Sequence, residues 1–413
     1  MAIFEKPRGT RDILPELSKI YYMIEKVCRD IFELYNYEEI KIPTFELSEL
    51  FTKSIGFTTD IIEKEMYIFE DKKGRKLALR PEGTAGIVRA YIENNFRSKS
   101  NITKLFYYAQ MFRYERPQAN RYREFYQIGA EYFGDNTYIS DFEIISMCFD
   151  ILNRLNVDFK LFINSLGCKN CRGLFREKFL EKLEFKKNSL CNNCKIRAQK
   201  NPLRILDCKI DVEKFVDFPH IVDFLCVDCK KNFEELLNLL EKNNLKYEID
   251  HFLVRGLDYY TRTIFEIKLN GIDSKESTII GGGRYDDLVE ILGGVPTPAC
   301  GFAIGIDRLA SQINVKNILT KKKLFIATSG NEEVIKEYAI KVSVYLRKNN
   351  FITIGPVGDK SLKSQMRLAD SMKTDFVIIV GEEELKNDLL TVRNMKEQTQ
   401  EKVPFNTIVK YFS

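Results

Sequence analysis

Leu253-Val254-Arg255-Gly256-Leu257-Asp258-Tyr259-Tyr260-Thr261-Arg262-Thr263 sets an arginine, an aspartate, a glycine and two adjacent tyrosines in what the flanking pattern predicts to be a strand edge. Core strands seldom carry that much polarity, because each buried polar group needs a partner or costs free energy. An arginine beside paired tyrosine hydroxyls suits a site that clamps a phosphate and hydrogen-bonds a small polar ligand. A second segment of the same kind follows, Gly281-Gly282-Gly283-Arg284-Tyr285. One such segment is ambiguous, whereas two in tandem point to a site.

Upstream, Ile20, Met23, Ile24, Val27, Cys28, Ile31 and Phe32 recur at helical spacing and predict a helix over residues 17–35. Residues 39–43 alternate like a strand that meets Pro43 at an edge or bend. Residues 66–70 and 76–80 predict a hairpin, and 85–95 a helix. A second hairpin is predicted over 105–115 and 124–133. Met111, Arg113 and Glu115 share one face of its first strand, and Phe125, Gln127, Gly129 and Glu131 one face of its second. So polar a face is either solvated or the floor of a polar pocket. Strand patterns return at 251–256 and 262–269.

Residues 165–245 differ in character, being rich in lysine and asparagine and mostly helical in pattern. They hold seven of the ten cysteines. After Lys321-Lys322-Lys323, the strands at 324–327 and 375–380 alternate with helices at about 331–348 and 361–373. That is the punctuation of a small α/β domain with a mainly parallel sheet. It carries neither a Walker loop nor a dinucleotide fingerprint, so binding is expected of it rather than chemistry.

The length of 413 residues suits two to three domains. The net charge of +5 permits a nucleic-acid partner without requiring one. No signal-peptide core and no membrane-length apolar run is present, so the chain reads as soluble and cytoplasmic. Ten cysteines then suit reduced thiols or a metal better than a disulfide framework.

Arg113, Arg255 and Arg308 stand near glycines or acids. Taken singly, each reads as a surface ion pair; converging, they would hold and polarise a triphosphate. The order of motifs decides between these. Lys6-Pro7-Arg8-Gly9-Thr10-Arg11-Asp12 opens the chain, and a helix–strand unit ends at Pro43. Phe112-Arg113-Tyr114-Glu115-Arg116-Pro117 comes with Phe125-Tyr126-Gln127, and Gly301 to Arg308 follow later. In this order the chain resembles a class II aminoacyl-tRNA synthetase over nearly its whole length. The pair 253–260 and 281–285 resembles the histidyl-tRNA synthetase family specifically.

The resemblance implies an α+β protein. Its class II antiparallel sheet, flanked by helices, would be built from 1–165 and 246–320. A cysteine-rich, mostly helical insertion would span 166–245, and an α/β anticodon-binding domain 321–413. It implies a homodimer that activates L-histidine with ATP and Mg²⁺ and esterifies tRNA(His), with no membrane partner. By position, Arg113 would hold the α-phosphate and the histidine carboxylate. Glu115 and Arg121 would receive the adenine and outer phosphates, Arg308 would contact the γ-phosphate, and Arg255 would stabilise charge on the α-phosphate. Glu82, Gly83 and Thr84 would meet the histidine ammonium, with Gln127 nearby. Glu131 and Tyr260 would bond the imidazole nitrogens, and Tyr259 and Tyr285 would shape the pocket. Arg116 and Gln118 would touch the tRNA acceptor end. Asp307, Asp287 and Tyr114 depart from the family pattern without removing a proposed catalytic group.

Cys168-x2-Cys171 and Cys191-x2-Cys194 have zinc-ribbon spacing, which makes these four the expected ligands of one structural Zn²⁺. Cys226-x2-Cys229 and Cys208 leave the pairing open, as does a reading of all seven as reduced thiols. Two rivals remain at this stage. One is a non-enzymatic relative such as a regulatory subunit of ATP phosphoribosyltransferase, which lacks the arginine–tyrosine signature and the C-terminal domain. The other is a synthetase for another amino acid.

Overall fold

The computed structural model describes residues 4–56, 59, 61–115, 121–200, 202–208, 210–215, 217–271, 277–313, 321–330, 332–357 and 360–412. The chain divides into two units, Met1–Val315 and Lys316–Ser413. The strands are β1 Glu38–Glu39, β2 Phe45–Leu47, β3 Ile68–Glu70, β4 Lys76–Leu79, β5 Thr103–Phe112, β6 Glu124–Phe133, β7 Phe159–Ser165 and β8 Tyr247–Ile249. They continue as β9 Thr261–Leu269, β10 Thr278–Arg284, β11 Ala299–Gly305, β12 Lys323–Ser329, β13 Ile352–Ile354, β14 Phe376–Gly381, β15 Leu389–Asn394 and β16 Gln400–Pro404.

Eight strands of the first unit form one sheet in the order β1-β5-β6-β11-β10-β9-β7-β8. The six central strands pair antiparallel, and the short outer strands β1 and β8 pair parallel to their neighbours. Pro15 opens the first helix, Pro15–Leu34, in the first turn, where its missing N–H costs nothing. Ile20, Ile24, Cys28 and Ile31 line the buried stripe of that helix, as their spacing predicts. The 39–43 segment contributes only Glu39 to a strand. The hairpin at 105–115 appears as β5 and β6, with Arg113 to Glu115 just beyond the β5 end.

Two features bear on the site, and the first is a difference from expectation. Residues 253–260 are turns and loop, and the strand begins only at Thr261. Asp258 N–H donates to the Ile55 carbonyl and Leu253 N–H to Asp250, so this backbone is satisfied by local and distant loops rather than by a ladder. The second is a matter of packing: the cysteine-rich stretch contributes to the core beneath the site. Phe175, Phe179, Ile205, Leu206, Phe215 and Phe218 share one core with Tyr107, Tyr259, Tyr260 and Tyr285.

The second unit is a five-stranded sheet, β13-β12-β14-β15-β16. Its first three strands are parallel, and β15 and β16 add antiparallel, so the sheet is less parallel than its two recognised strands suggested. The helix Glu333–Lys348 buries Ile335, Val342 and Leu346 against Leu324, Ile326, Ile378 and Val380.

Candidate functional site

Cross-strand register builds the floor of the site. One row runs Tyr107–Gly129–Ala303–Gly281–Glu266 across β5, β6, β11, β10 and β9. The next runs Leu105–Glu131–Gly301–Gly283–Ile264. Runs of glycine or alanine thus stand beside Tyr107, Glu131 and Glu266, and the small residues leave room for the polar ones. A Cβ on Gly129 would lie 2.7 Å from the Tyr107 hydroxyl oxygen, and one on Gly301 would lie 2.9 Å from Glu131 Cδ. A Cβ on Gly281 would lie 2.5 Å from Arg255 Nη1 and closer still to its Cζ and Nη2.

A cavity of about 650 Å³ opens over this floor. Its wall includes Arg113, Glu115, Arg121, Gln127, Arg255 and Arg308, so the three separated arginines do converge. Arg113 donates from Nε to the Pro81 carbonyl at 2.8 Å and sits over the Phe125 ring at 5.3 Å. Arg121 reaches Glu115 at 3.5 Å. Arg308 donates from Nη1 to the Thr278 carbonyl at 2.8 Å. Arg255 pairs with Glu266 of β9 and lies 5.9 Å from the Tyr260 ring centre. Gln127 Oε1 and Arg255 Nε are buried without a protein hydrogen bond among the described residues. Buried polar atoms of that kind need a partner, which a ligand or an ordered water in the cavity can supply.

Glu82, Gly83, Thr84, Glu131, Tyr259, Tyr260 and Tyr285 are not in that wall; they lie beside it as a buried cluster. Glu82 caps the helix Thr84–Glu93, accepting from Thr84 N at 2.7 Å and Ala85 N at 2.9 Å. Thr84 Oγ1 donates to Glu131 at 2.7 Å, and the Tyr285 hydroxyl donates to the other Glu131 oxygen. The Tyr259 ring lies 4.9 Å from Tyr260 and 5.7 Å from Tyr285. Burial pushes Glu131 up to about 8, although both hydroxyl bonds pull it back. Burial also raises Glu82 and the hydroxyls of Tyr107, Tyr259, Tyr260 and Tyr285. A protonatable acid framed by hydroxyls can read a ring nitrogen that itself donates or accepts.

Several residues of the site were not singled out in the sequence. Tyr107 shares the Met111 face by period two and reads there as an ordinary core aromatic. Glu266, the partner of Arg255, alternates with Lys268 in the same way. Arg284, next to Tyr285 in the second signature segment, is wholly buried. It pairs with Asp141 at 2.7 Å and Asp286 at 3.1 Å, and donates to the Thr137 carbonyl. Asp307 accepts from Arg11, from the Tyr21 hydroxyl at 2.8 Å and from Tyr126 N at 2.9 Å, anchoring the start of the chain to the sheet. Arg116 and Gln118, the expected acceptor-end contacts, lie outside the described residues.

The expected metal set also needs correction, because Cys168, Cys171, Cys191 and Cys194 do not form one cluster. Cys168 and Cys171 group with Cys226 and Cys229, while Cys191 and Cys194 group with Cys208 and Asp211. The start of the helix Val227–Lys242 delivers one pair of partners, and the short turns after Pro202 deliver the other. Each knuckle therefore meets a nearer partner than the other knuckle.

A family model described as Histidyl-tRNA synthetase matches residues 9–171 and 225–309, and one described as Anticodon binding domain matches 322–413. The histidine–tRNA ligase of Thermodesulfovibrio yellowstonii is 46% identical over 406 residues, covering 98% of this chain and 96% of that one. That of Aquifex aeolicus is 44% identical over 404 residues, covering 97% and 98%. The crystal structure of apo histidyl-tRNA synthetase from S. aureus matches with a TM-score of 0.81 at 34% identity, covering 99% and 100% of the two chains. The largely antiparallel sheet with an arginine-walled cavity is that of a class II aminoacyl-tRNA synthetase. Within that class, the chain belongs to the histidyl-tRNA synthetase family.

Proposed function

We propose that the chain joins L-histidine to tRNA(His) in two steps. A histidine carboxylate oxygen attacks the α-phosphorus of ATP, forming histidyl-adenylate and releasing diphosphate. A terminal hydroxyl of the tRNA then attacks the carbonyl carbon, and AMP leaves. The convergence of Arg113, Arg255 and Arg308 on one cavity beside the Glu131–Tyr285–Thr84 cluster carries this reading.

A carboxylate is already nucleophilic, so the first step needs alignment and neutralised phosphate charge rather than a base. Arg113 binds the α-phosphate and the histidine carboxylate, Arg255 meets the charge that grows on the α-phosphate, and Arg308 holds the γ-phosphate. Glu115 and Arg121 take the adenine and outer phosphates. Mg²⁺ would enter with ATP, and Glu115, Asp250, Glu266 and Asp307 are the carboxylates that the wall offers it; it would supply further neutralisation of the phosphates.

Glu82, Gly83 and Thr84 place the ammonium, with Gln127 close by. Glu131 and Tyr260 bond the ring nitrogens, and Tyr259 and Tyr285 close the pocket around them. An analogue without those nitrogens would leave the buried groups unpaired, which supports selection of histidine. Arg116 and Gln118 meet the acceptor end, and residues 322–413 meet the anticodon. A homodimer belongs to the same proposal. Its support is the exposed apolar set Phe45, Leu47, Ile68 and Phe69 on the small sheet β2-β4-β3.

The test is histidine-dependent exchange between ATP and diphosphate, followed by charging of tRNA. Arg255→Gln is expected to lower the exchange kcat by roughly 10²–10³ with little change in histidine KM. Exchange driven by another amino acid, and not by histidine, would overturn the assignment.

A further inference from the structure

We propose that residues 168–229 hold two separate Zn²⁺ ions, and that both brace the loop Arg255–Tyr260 of the active site. The first site is Cys168, Cys171, Cys226 and Cys229; the second is Cys191, Cys194, Cys208 and Asp211.

The geometry fits tetrahedral zinc. With Zn–S near 2.3 Å, the sulfurs of a tetrahedral site lie ~3.8 Å apart. Cys168 and Cys171 sulfurs are 3.5 Å apart, and those of Cys191 and Cys208 are 3.8 Å apart. A disulfide would need ~2.05 Å. In each group all four ligand atoms lie within 4.8 Å of one another, as a single ion requires and tighter than a polynuclear iron–sulfur cluster allows. Backbone N–H groups already point at the sulfurs: Cys226 N at Cys171 (3.1 Å), Cys194 N at Cys191 (3.5 Å) and Ile210 N at Cys208 (3.4 Å). Such bonds stabilise thiolate, the metal-binding form.

Asp211 is wholly buried, an unusual setting for a carboxylate with no metal to serve. It accepts from Cys191 N at 2.8 Å and from Lys214 Nζ at 2.7 Å, one donor on each oxygen. A lone pair on each oxygen remains for a cation. Three thiolates and a carboxylate carry two negative charges beyond those that Zn²⁺ neutralises, and Lys214 offsets one of them.

The two sites lie next to two arginines that hold the same loop. Arg172, one residue past Cys171, donates to the Tyr260 carbonyl at 3.1 Å. Arg204, on the turn that leads to Cys208, donates to the Gly256 carbonyl and to Asp258 at 3.2 Å. Leu206 and Cys208 themselves line the cavity. Between the second knuckle and Cys208 the described residues form a short helix and one 3-10 stretch, so a metal cross-link there fixes a wall that little regular structure would fix. Zinc in this arrangement is a positioning device for Arg255, Tyr259 and Tyr260, not a reactant.

The full chain, purified without chelator, should contain two zinc ions by elemental analysis. Cys226→Ser and Cys208→Ser should each leave one, whereas a single site at Cys168, Cys171, Cys191 and Cys194 would leave the zinc of both variants unchanged. In case either variant fails to fold, ¹¹³Cd NMR of the cadmium-exchanged wild type should give two resonances, one for four sulfurs and one shifted by the oxygen ligand. Cys208→Ser should also lower kcat/KM for exchange by roughly tenfold or more, as loosened positioning predicts. One zinc per chain, none, or iron in either site overturns the proposal. The metal count is read equally on an Arg255→Gln chain, so its failure is distinct from failure of the histidine assignment.

Discussion

Replacing Gly281 by alanine separates the position of Arg255 from its presence. Gly281 lies mid-strand in β10 and is not among the residues with positive φ, so alanine meets no backbone penalty there. Its new methyl group would stand 2.5 Å from Arg255 Nη1 and nearer to Cζ. The guanidinium must therefore retreat by ~1 Å or more to reach an ordinary contact of ~3.5 Å. Its partner Glu266 sits on the neighbouring strand, so retreat also disturbs that ion pair. Misplacing a group that stabilises developing charge by ~1 Å costs roughly 10²-fold, about 2.7 kcal/mol in the barrier. Gly281→Ala is thus expected to lose about two decades of kcat in histidine-dependent exchange, approaching Arg255→Gln, with an unchanged melting temperature. Exchange within threefold of wild type, when Arg255→Gln is badly impaired, would refute the packing argument. So would a collapse of stability that explains the loss by itself.

Glu131 gives a pH prediction. Its native pKa of about 8 lies above the unfolded value near ~4.3, so the folded state keeps a proton that the unfolded chain has lost. Stability without histidine should be fullest below ~4.3, fall as pH rises towards about 8, and level off beyond, a span on the order of 5 kcal/mol. Glu131→Gln should flatten that slope in melts run from pH 5 to 9, and parallel profiles for the two proteins would contradict it. Arg284→Ala should destabilise the first unit by about 3–5 kcal/mol in denaturant titrations, since it strands buried Asp141. The pair Arg284→Met with Asp141→Leu should recover most of this, and a single variant within ~1 kcal/mol of wild type would show that the ion pair is dispensable.

What could be read in advance follows from range. The first helix and the β5–β6 hairpin depend on spacing within a dozen or so residues, and the hairpin's faces follow from period two, so Gln127 and Glu131 could be placed on a polar face directly, whereas Arg113 falls just past the β5 end. The loop at 253–260 could not. Its apolar and aromatic pattern resembles a strand, and the groups that hold it as a loop come from Ile55, Arg172 and Arg204, far away in sequence. Metal grouping failed for the same reason: CxxC spacing identifies a knuckle but not its partner, which the fold of the 202–229 stretch decides. Tyr107 and Glu266 were hidden because a buried polar end and a packing residue look alike until register sets glycines beside them. β16 is short and mostly exposed, and β15 mixes Thr391, Arg393 and Asn394 into its apolar residues, so neither carried enough pattern to be recognised.

Strands β6 and β11 are neighbours in the sheet, yet roughly 165 residues separate Phe133 from Ala299, where their pairing begins. During synthesis at ~5–20 residues per second, the edge of β6 waits roughly 8–30 s for its partner to leave the ribosome. Throughout that interval its free N–H and C=O groups are a template for another nascent chain. Its side chains temper the hazard: Gln127 and the inward-pointing acid Glu131 interrupt the apolar row that would zip onto a stray strand. The residues that would recognise the amino acid in the finished enzyme thus also guard the unfinished one, and replacing both by aliphatics should show first as lost soluble yield.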